Sequence, residues 1–282
     1  MRVSWGENLR NINHFICQNG YLAKGRPLKS ISSQRMEKFA HDTVMPYQSS
    51  PLEKKEQVAG MFDDIAHRYD FLNKLLSGGI DVYWRKKALT QLKQLHPQKI
   101  LDVATGTAEV AIMANKMLAP KQIIGVDISE GMLALGREKI DKLGISDVIT
   151  LETGDSEHLR FTDNEFDAVT VAFGVRNFQR LLQGLQEMHR VLKPGGKLVV
   201  LEFSKPSGWG IKQSYQLYMR YATPMVGKWF SNNRNAYEYL NESVQAFPEG
   251  DKFLQIMQEA GFSNPHLKKL SFGICTIYCG SK

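Results

Sequence analysis

A cation and an amide follow an apolar run near the middle of the chain, in the segment FGVRNF at residues 173–178. The run before it, FDAVTVA at 166–172, is apolar and β-branched between polar flanks, which is typical of a buried strand. Ligands of open α/β sheets bind at the carboxyl ends of the strands. Arg176 and Asn177 are therefore candidate site residues, and Arg176 can stabilise negative charge because a guanidinium stays protonated at neutral pH.

A turn of small residues ends an earlier strand candidate and opens a helix, in DVATGTAEVA at 102–111. A nucleotide-like ligand meets a helix N-terminus at such a turn, which makes Asp102 and Gly106 candidates for contact. The pattern lacks the glycines of a pyrophosphate-binding GxGxxG turn, and no lysine follows as in a P-loop.

Two further strand ends carry the polar groups that an adenosine needs. Asp127 ends the second strand candidate, where an acid accepts both ribose hydroxyls. Asp155 and Ser156 follow the third strand candidate and can pair with an adenine edge. A ribose acid and an adenine contact without a pyrophosphate turn predict S-adenosylmethionine as the cofactor. The alternative is an α/β domain whose strand ends carry ordinary turn residues.

The elements that must position these residues alternate along the chain. A helical pattern at 51–77 ends at SGG, and a second begins at Asp81. Beyond them, apolar strand candidates lie at 99–104, 122–128, 147–153, 166–172 and 197–203, with helical segments at 109–118, 130–143 and 178–192. This alternation predicts a parallel sheet covered on both faces. After a helix-rich stretch, HLKKLSF and ICTIYCG predict an antiparallel hairpin at the sheet edge.

Charge and cysteine content limit the function classes. Of the net charge of +7, residues 1–35 carry +5 and the remaining residues +2, so the body of the chain gives no strong indication of nucleic-acid binding. We expect residues 1–35 to be a leader, either a transit peptide or sequence upstream of a start at Met36. Three sparse cysteines are not a disulfide framework, and they favour a reducing compartment. Cys275 and Cys279 are expected to be core thiols on one strand face, and we expect no metal.

Three longer blocks resemble one enzyme family. YDFLNKLLSGGIDVYW at 69–84, RVLKPGGKLVVLEFS at 190–204 and FGVRN at 173–177 are similar to the ubiquinone/menaquinone biosynthesis C-methyltransferases, and HDTVMPY at 41–47 is most similar to the bacterial demethylmenaquinone branch. The resemblance implies a class I, Rossmann-like methyltransferase sheet of seven mostly parallel strands with an antiparallel last strand. It also implies that Thr107, Asp127, Asp155 and Ser156 contact the cofactor. The chain departs from the family pattern at Asp81, where many members have His, and at Ala172, where some have Ser.

The resemblance also implies a substrate, a quinol ring with an isoprenoid tail. Ring carbon is a poor nucleophile until a hydroxyl ionises, and a phenol ionises near pH ~10. We expect Arg176 to stabilise the phenolate, Asn177 to hold the ring oxygen, and Tyr69 to relay the proton or orient the ring. The alternatives are a structural pair between Arg176 and an acid such as Asp70, and a core position for Tyr69.

The predicted organisation is a leader at 1–35, a helical cap at 36–96 and a methyltransferase domain at 97–282 with a helical insertion at about 207–245. Within that insertion, YQLYMRYATPMVGKWF at 215–230 is aromatic and Met-rich, which suits either a prenyl tail or core packing, and its cations suit a membrane surface. We expect a cytoplasmic enzyme; peripheral contact with the inner membrane and a homodimer are further hypotheses.

The predicted reaction converts demethylmenaquinol to menaquinol. The alternatives are C-methylation of a benzoquinol in ubiquinone synthesis and a non-catalytic, cofactor-binding subunit. A nucleic-acid methyltransferase is disfavoured, because the chain lacks an aromatic–Pro motif for a flipped base.

Overall fold

The computed structural model describes residues 39–206, residue 213 and residues 234–282, which belong to one compact unit, Lys38–Lys282. The expected leader at 1–35 and most of the expected insertion, including 215–230, lie outside the described residues. The helices are α1 Lys54–Ser77, α2 Asp81–Leu89, α3 Glu109–Leu118, α4 Glu130–Leu143, α5 Leu181–Val191, α6 Arg234–Ala246 and α7 Asp251–Glu259. The strands are β1 Lys99–Val103, β2 Gln122–Asp127, β3 Ile149–Thr153, β4 Phe166–Ala172, β5 Leu192–Phe203, β6 Ser263–Leu270 and β7 Cys275–Ser281.

The described strands form one seven-stranded sheet in the order β3-β2-β1-β4-β5-β7-β6. Strands β1 to β5 are parallel, whereas β7 is antiparallel to both of its neighbours. This topology confirms the predicted fold class, and the tail hairpin lies at the sheet edge with β7 on its inner side. The strand order reverses between β1 and β4, so their carboxyl ends flank the crevice where ligands of such sheets bind.

Two buried clusters cover the two faces of the sheet. One joins the sheet to α5 and α7, with Phe166, Met188 and Phe253 among its members. The other joins it to α2, α3 and α4, and it contains both Cys275 and Cys279. These thiols are free and almost fully buried, which confirms the prediction of core cysteines on one strand face.

The main difference from the predicted elements is the start of β5. The segment KPGG reads as a turn, so the sequence predicts a strand from residue 197, yet pairing with β4 already begins at Leu192 opposite Phe166. The register shifts between this pair and the next. Gly196 permits the irregularity, because a Cβ there would lie 2.8 Å from the Lys193 carbonyl oxygen and 3.0 Å from that of Asp167.

Candidate active site

An open cleft with about 700 Å³ of free space lies at the carboxyl ends of β1 to β4 and beneath α1. Its walls combine apolar side chains with a few polar groups, as small-molecule sites do. Its lining includes Tyr69, Gly106, Asp127, Asp155, Ser156 and Asn177, together with Val103, Ile128, Met132, Phe173 and Phe178. The cleft thus brings together six of the nine residues that the sequence selects.

The turn after β1 is tied to the end of β2 through one carboxylate. Asp127 Oδ2 accepts a hydrogen bond from the backbone N–H of Gly106 at 2.8 Å, and Oδ1 accepts one from that of Ser129 at 3.0 Å. Burial raises the pKa of Asp127, while these N–H donors act in the opposite direction. Each carboxylate oxygen has a second lone pair, so Asp127 can still accept hydroxyl donors from a ligand in the cleft.

Asp102, Thr107 and Arg176 are the three selected residues that the lining of the cleft does not include, and direct contact of Asp102 and Thr107 with a cofactor stays a prediction. Asp102 is buried beneath the turn, where its oxygens accept hydrogen bonds from Thr105 Oγ1 and Thr170 Oγ1, each at 2.6 Å. Burial raises the pKa of Asp102 to about 6. Thr107 Oγ1 instead donates to Asp70 Oδ1 at 2.7 Å. These hydrogen bonds tie Thr105 to β1 and Thr107 to α1, and so they fix the turn after β1.

Helix α1 is fastened across the cleft by acidic side chains. Asp63 Oδ1 accepts hydrogen bonds from Ser129 Oγ at 2.6 Å and from the N–H of Gly131 at 2.8 Å. Seven residues further along α1, Asp70 pairs with Lys139 and accepts the hydrogen bond from Thr107. At the start of the helix, Lys55 Nζ lies 3.4 Å from Asp155 Oδ2. The helix therefore covers the side of the cleft that Asp127 and Asp155 line.

Arg176 is buried and already paired. It is 4% exposed and lies in a 3₁₀ turn at Val175–Asn177, directly after β4. Its Nη1 donates to Glu202 Oε1 at 2.7 Å and to the Phe173 carbonyl oxygen at 2.6 Å. Burial lowers the pKa of Arg176, but Glu202, Tyr69 and hydrogen bonding outweigh it and raise the pKa overall. The alternative of a structural pair between Arg176 and an acid is therefore present, but the acid is Glu202, which is fully buried near the end of β5, and not Asp70.

One donor of Arg176 lacks a partner. Its Nε is a buried N–H without a hydrogen bond among the described residues. Leaving such a group unsatisfied costs about 1–3 kcal/mol, so a ligand oxygen that accepted from Nε would be favoured.

Tyr239 on α6 sets the orientation of Asn177. The Tyr239 hydroxyl donates to Asn177 Oδ1 at 3.2 Å, and burial raises the pKa of this tyrosine. With its oxygen engaged, Asn177 retains its NH₂ group as a donor beside the cleft. Tyr69 lines the same cleft from α1. Sequence reasoning missed Glu202 and Tyr239, although a carboxylate inside the apolar run LVVLEF was a signal for a buried pair.

The described side chains fit S-adenosylmethionine better than a metal. Asp127 and Asp155 flank an apolar wall of Ile128, Met132 and Phe178, which suits ribose hydroxyls, an adenine edge and an adenine face. No group of three or more His, Cys, Asp or Glu side chains among the described residues is arranged to hold a metal ion.

Comparisons with known proteins show the family of this chain. The model of the ubiE/COQ5 methyltransferase family matches residues 51–282. The demethylmenaquinone methyltransferase of Bacteroides fragilis is 48% identical over 244 residues, which cover 86% of this chain and 99% of that protein. The Geobacter sulfurreducens ubiquinone/menaquinone biosynthesis C-methyltransferase UbiE is 46% identical over 231 residues, or 82% of this chain and 90% of that protein.

A solved structure shares the fold at low identity. The Thermotoga maritima SAM-dependent methyltransferase, described as a possible histamine N-methyltransferase, has a TM-score of 0.57 at 18% identity, covering 79% of this chain and 99% of that one. From the extent of the family match and the near-complete alignment with these relatives, the chain belongs to the ubiE/COQ5 methyltransferase family.

Proposed function

We propose that this S-adenosylmethionine-dependent C-methyltransferase methylates a ring carbon of demethylmenaquinol, a prenylated naphthoquinol, to give menaquinol. The observation that carries the substrate is the 48% identity, over 99% of its length, to a protein named demethylmenaquinone methyltransferase. The geometry supports the chemistry, because donors suited to a phenolate stand at the end of β4, beside the cleft that fits the cofactor.

The cofactor supplies a methyl group on a sulfonium, which is electrophilic without further activation. We assign Asp127 to the ribose hydroxyls and Asp155 with Ser156 to the adenine edge. Gly106 lets the turn after β1 approach closely: it has φ +55, and no other group lies within 4 Å of the place where a Cβ would stand. Asp102 and Thr107 are assigned as positioning residues, which hold that turn through Thr105 and Asp70.

The quinol needs a site that favours its ionised form. The phenol pKa of ~10 must fall for the ring to react at neutral pH, and hydrogen bonds to the oxyanion lower it. We assign this role to the unpartnered Nε of Arg176 and the NH₂ group of Asn177. The charge of Arg176 is already balanced by Glu202, so its contribution is a directed hydrogen bond in a desolvated setting more than a free positive charge.

Tyr69 is assigned to orient the ring or relay the phenol proton, since it lines the cleft from α1 and lies close enough to Arg176 to raise its pKa. After methyl transfer, the ring carbon that gained the methyl group loses its hydrogen as a proton, and the aromatic quinol is restored. The remaining rate enhancement comes from aligning the ring with the methyl group and from excluding water. Helix α1 contributes to both as part of the proposed helical cap at 36–96.

The experiment that tests the proposal is methyl transfer by the purified protein, with isotopically labelled S-adenosylmethionine and a short-tailed demethylmenaquinol, followed by mass spectrometry of the quinol. We expect one labelled methyl group on the ring. A benzoquinol precursor of ubiquinone, run in parallel, tests the second candidate, which the name of the Geobacter relative favours. Cofactor binding without transfer to either quinol would contradict the proposal and leave a non-catalytic subunit as the explanation.

The prenylated substrate also supports a peripheral contact with the membrane by an otherwise cytoplasmic protein. None of the described helices is long and apolar enough to cross a bilayer. The homodimer stays a prediction.

A further inference from the structure

The turn between β6 and β7 presents a phenylalanine to solvent in a costly conformation. Ser271, Phe272 and Gly273 all have positive φ, at 45°, 58° and 90°. A bulky residue in this left-handed region is uncommon and costs on the order of 1 kcal/mol or more, and the Phe272 ring is 77% exposed. Both features are unfavourable in the isolated protein, so they call for a role outside the fold.

The turn is nevertheless firmly tied. Ser271 Oγ accepts a hydrogen bond from Trp84 Nε1 at 2.8 Å, and Ser204 Oγ donates to the Gly273 carbonyl oxygen, also at 2.8 Å. The backbone N–H of Ser204 donates to the Ile274 carbonyl oxygen at 2.9 Å. These hydrogen bonds fix the backbone of the turn, so the exposure of Phe272 is a property of the folded turn and does not result from local unfolding.

Two further exposed apolar side chains lie at the start of α2, the helix whose tryptophan bonds this turn. Ile80 is 40% exposed and Tyr83 47%, and both precede Trp84, whose indole bonds the turn. Ile80 lies four residues before Trp84, so it is on the same side of α2. Together Ile80, Tyr83 and Phe272 form what we call the apolar patch; they are three of the five large hydrophobic residues that are exposed in the described structure.

The patch lies at the same edge of the sheet as the cleft. Strand β7 begins at Cys275, opposite the end of β5 at Phe203, so the β6–β7 turn falls at the carboxyl ends of the parallel strands. Trp84 packs against Phe203 at 6.1 Å and Phe173 at 6.4 Å between ring centroids. Phe173 lines the cleft, and the Phe203 ring is 5.5 Å from the guanidinium carbon of Arg176. Aromatic side chains thus connect the patch to the proposed reaction site.

Lysines flank the patch residues in the sequence. Lys86 and Lys87 follow Tyr83 on α2, and Lys268 and Lys269 precede the turn on β6. The Lys87 ammonium lies 5.4 Å from the centre of the Tyr83 ring. None of these four cations forms an ion pair with the described acidic residues, and Asp81, the acid nearest to Lys86 and Lys87 in sequence, is buried and paired with Arg85. Aromatic residues within a basic rim are the composition that binds anionic lipid surfaces.

We propose that the apolar patch docks the protein on an anionic bilayer surface, with Phe272 inserted at the boundary of headgroups and acyl chains and the four lysines on the headgroups. Docking in this orientation turns the carboxyl edge of the sheet, and with it the cleft, toward the membrane that holds a prenylated substrate. The purpose of docking rests on the proposed function, whereas the contact between the apolar patch and the bilayer is argued from the exposed residues and the lysines alone.

The test is co-sedimentation of the full chain with vesicles of phosphatidylcholine and phosphatidylglycerol, without cofactor or quinol. We expect binding that weakens with salt. Phe272→Asn should lower the partition coefficient roughly tenfold, and it should fold normally because Asn tolerates the left-handed region. Replacing Lys268 and Lys269 with Glu should lower it by at least about fivefold per residue. The matched control is Leu143→Asn, because Leu143 is 57% exposed at the end of α4, on the β3 side of the sheet; it should bind as the wild type does.

Equal vesicle binding by wild type, F272N and L143N would overturn the proposal. The proposal would also be wrong if F272N kept the wild-type partition coefficient but had a raised KM for a long-tailed quinol, because Phe272 would then contact the substrate tail. It would be wrong as well if F272N kept that partition coefficient but lost a dimer, because the patch would then be a self-association surface. Methyl transfer to a short-tailed quinol in solution should be unaffected by F272N. If the wild type fails in that assay while vesicle binding behaves as expected, the proposed function is wrong and the docking surface stands.

Discussion

Replacing Arg176 by Met should destabilise the protein as well as inactivate it. The substitution leaves the carboxylate of Glu202, which is 0% exposed, without the guanidinium that donates to it at 2.7 Å. Breaking a buried pair from one side costs about 3–5 kcal/mol, because an uncompensated charge stays in the interior. For a domain of this size the melting temperature should fall by roughly 10 °C.

Removing both charges separates the two effects. In Arg176→Met/Glu202→Gln no buried charge is left over, so most of the lost stability should return. Methyl transfer should not return, because the oxyanion still lacks its donor. A lost charge-assisted hydrogen bond costs about 1.5–3 kcal/mol, which corresponds to roughly one to two decades in rate.

The assays are thermal melting, calorimetric titration with S-adenosylmethionine and a pH–rate profile with a short-tailed demethylmenaquinol. Cofactor affinity of the double variant should match the wild type, since Asp127 and Asp155 are on other strand ends. Its rate should rise with pH toward the phenol pKa of ~10. Arg137→Met is the control: Arg137 pairs with Glu130 at the surface, where such pairs are worth about 0–1 kcal/mol.

Two results would refute this reasoning. If the double variant regains both stability and near-normal turnover at pH 7, Arg176 is a structural partner of Glu202 and does not touch the substrate. If R176M melts at the wild-type temperature, the pair does not contribute as a buried ion pair.

Other predictions concern the remaining polar residues. Asp127→Asn should weaken S-adenosylmethionine binding by about a hundredfold in calorimetry, because one ribose acceptor becomes a donor; unchanged affinity would remove the cofactor assignment. Tyr239→Phe should lower kcat about tenfold in the methyl-transfer assay without changing cofactor affinity, since Asn177 then rotates freely, whereas an intact kcat would show that the amide needs no support. The pKa of Asp102 is about 6 instead of 3.8, so the native state holds this proton to higher pH than the unfolded state, and stability should fall by roughly 3 kcal/mol as pH rises from about 4 to 6. Denaturant titrations of Asp102→Asn across that range should lack this slope, and a slope equal to the wild type would assign it to other groups.

Much of the fold follows from local pattern. Helices at 109–118 and 130–143 and the strand at 166–172 have the predicted bounds, because apolar periodicity and caps are local properties. The Ser129 side chain accepts the Met132 N–H at the start of α4, and Gly144 ends that helix with φ 67°. The order of strand-end residues likewise predicted S-adenosylmethionine as the cofactor, and the resemblance of three longer blocks predicted the family, which the family match confirmed. The place of Asp127 on the cleft follows from its position after an apolar strand.

The tertiary structure decided which charged groups meet. Arg176 pairs with Glu202 and not with Asp70, because β4 and β5 are in register at Ala172 and Leu201, which places the next acid beside the turn after β4. Asp70 is taken by Thr107 and Lys139 where α1 crosses the strand ends. No local signal reports such pairings, since they depend on register and on how a helix crosses the sheet. For the same reason, the sequence could identify the residues suited to this chemistry, while only the packed fold showed that Asp102 bonds Thr105, that Thr107 bonds Asp70 and that Tyr239 reaches Asn177.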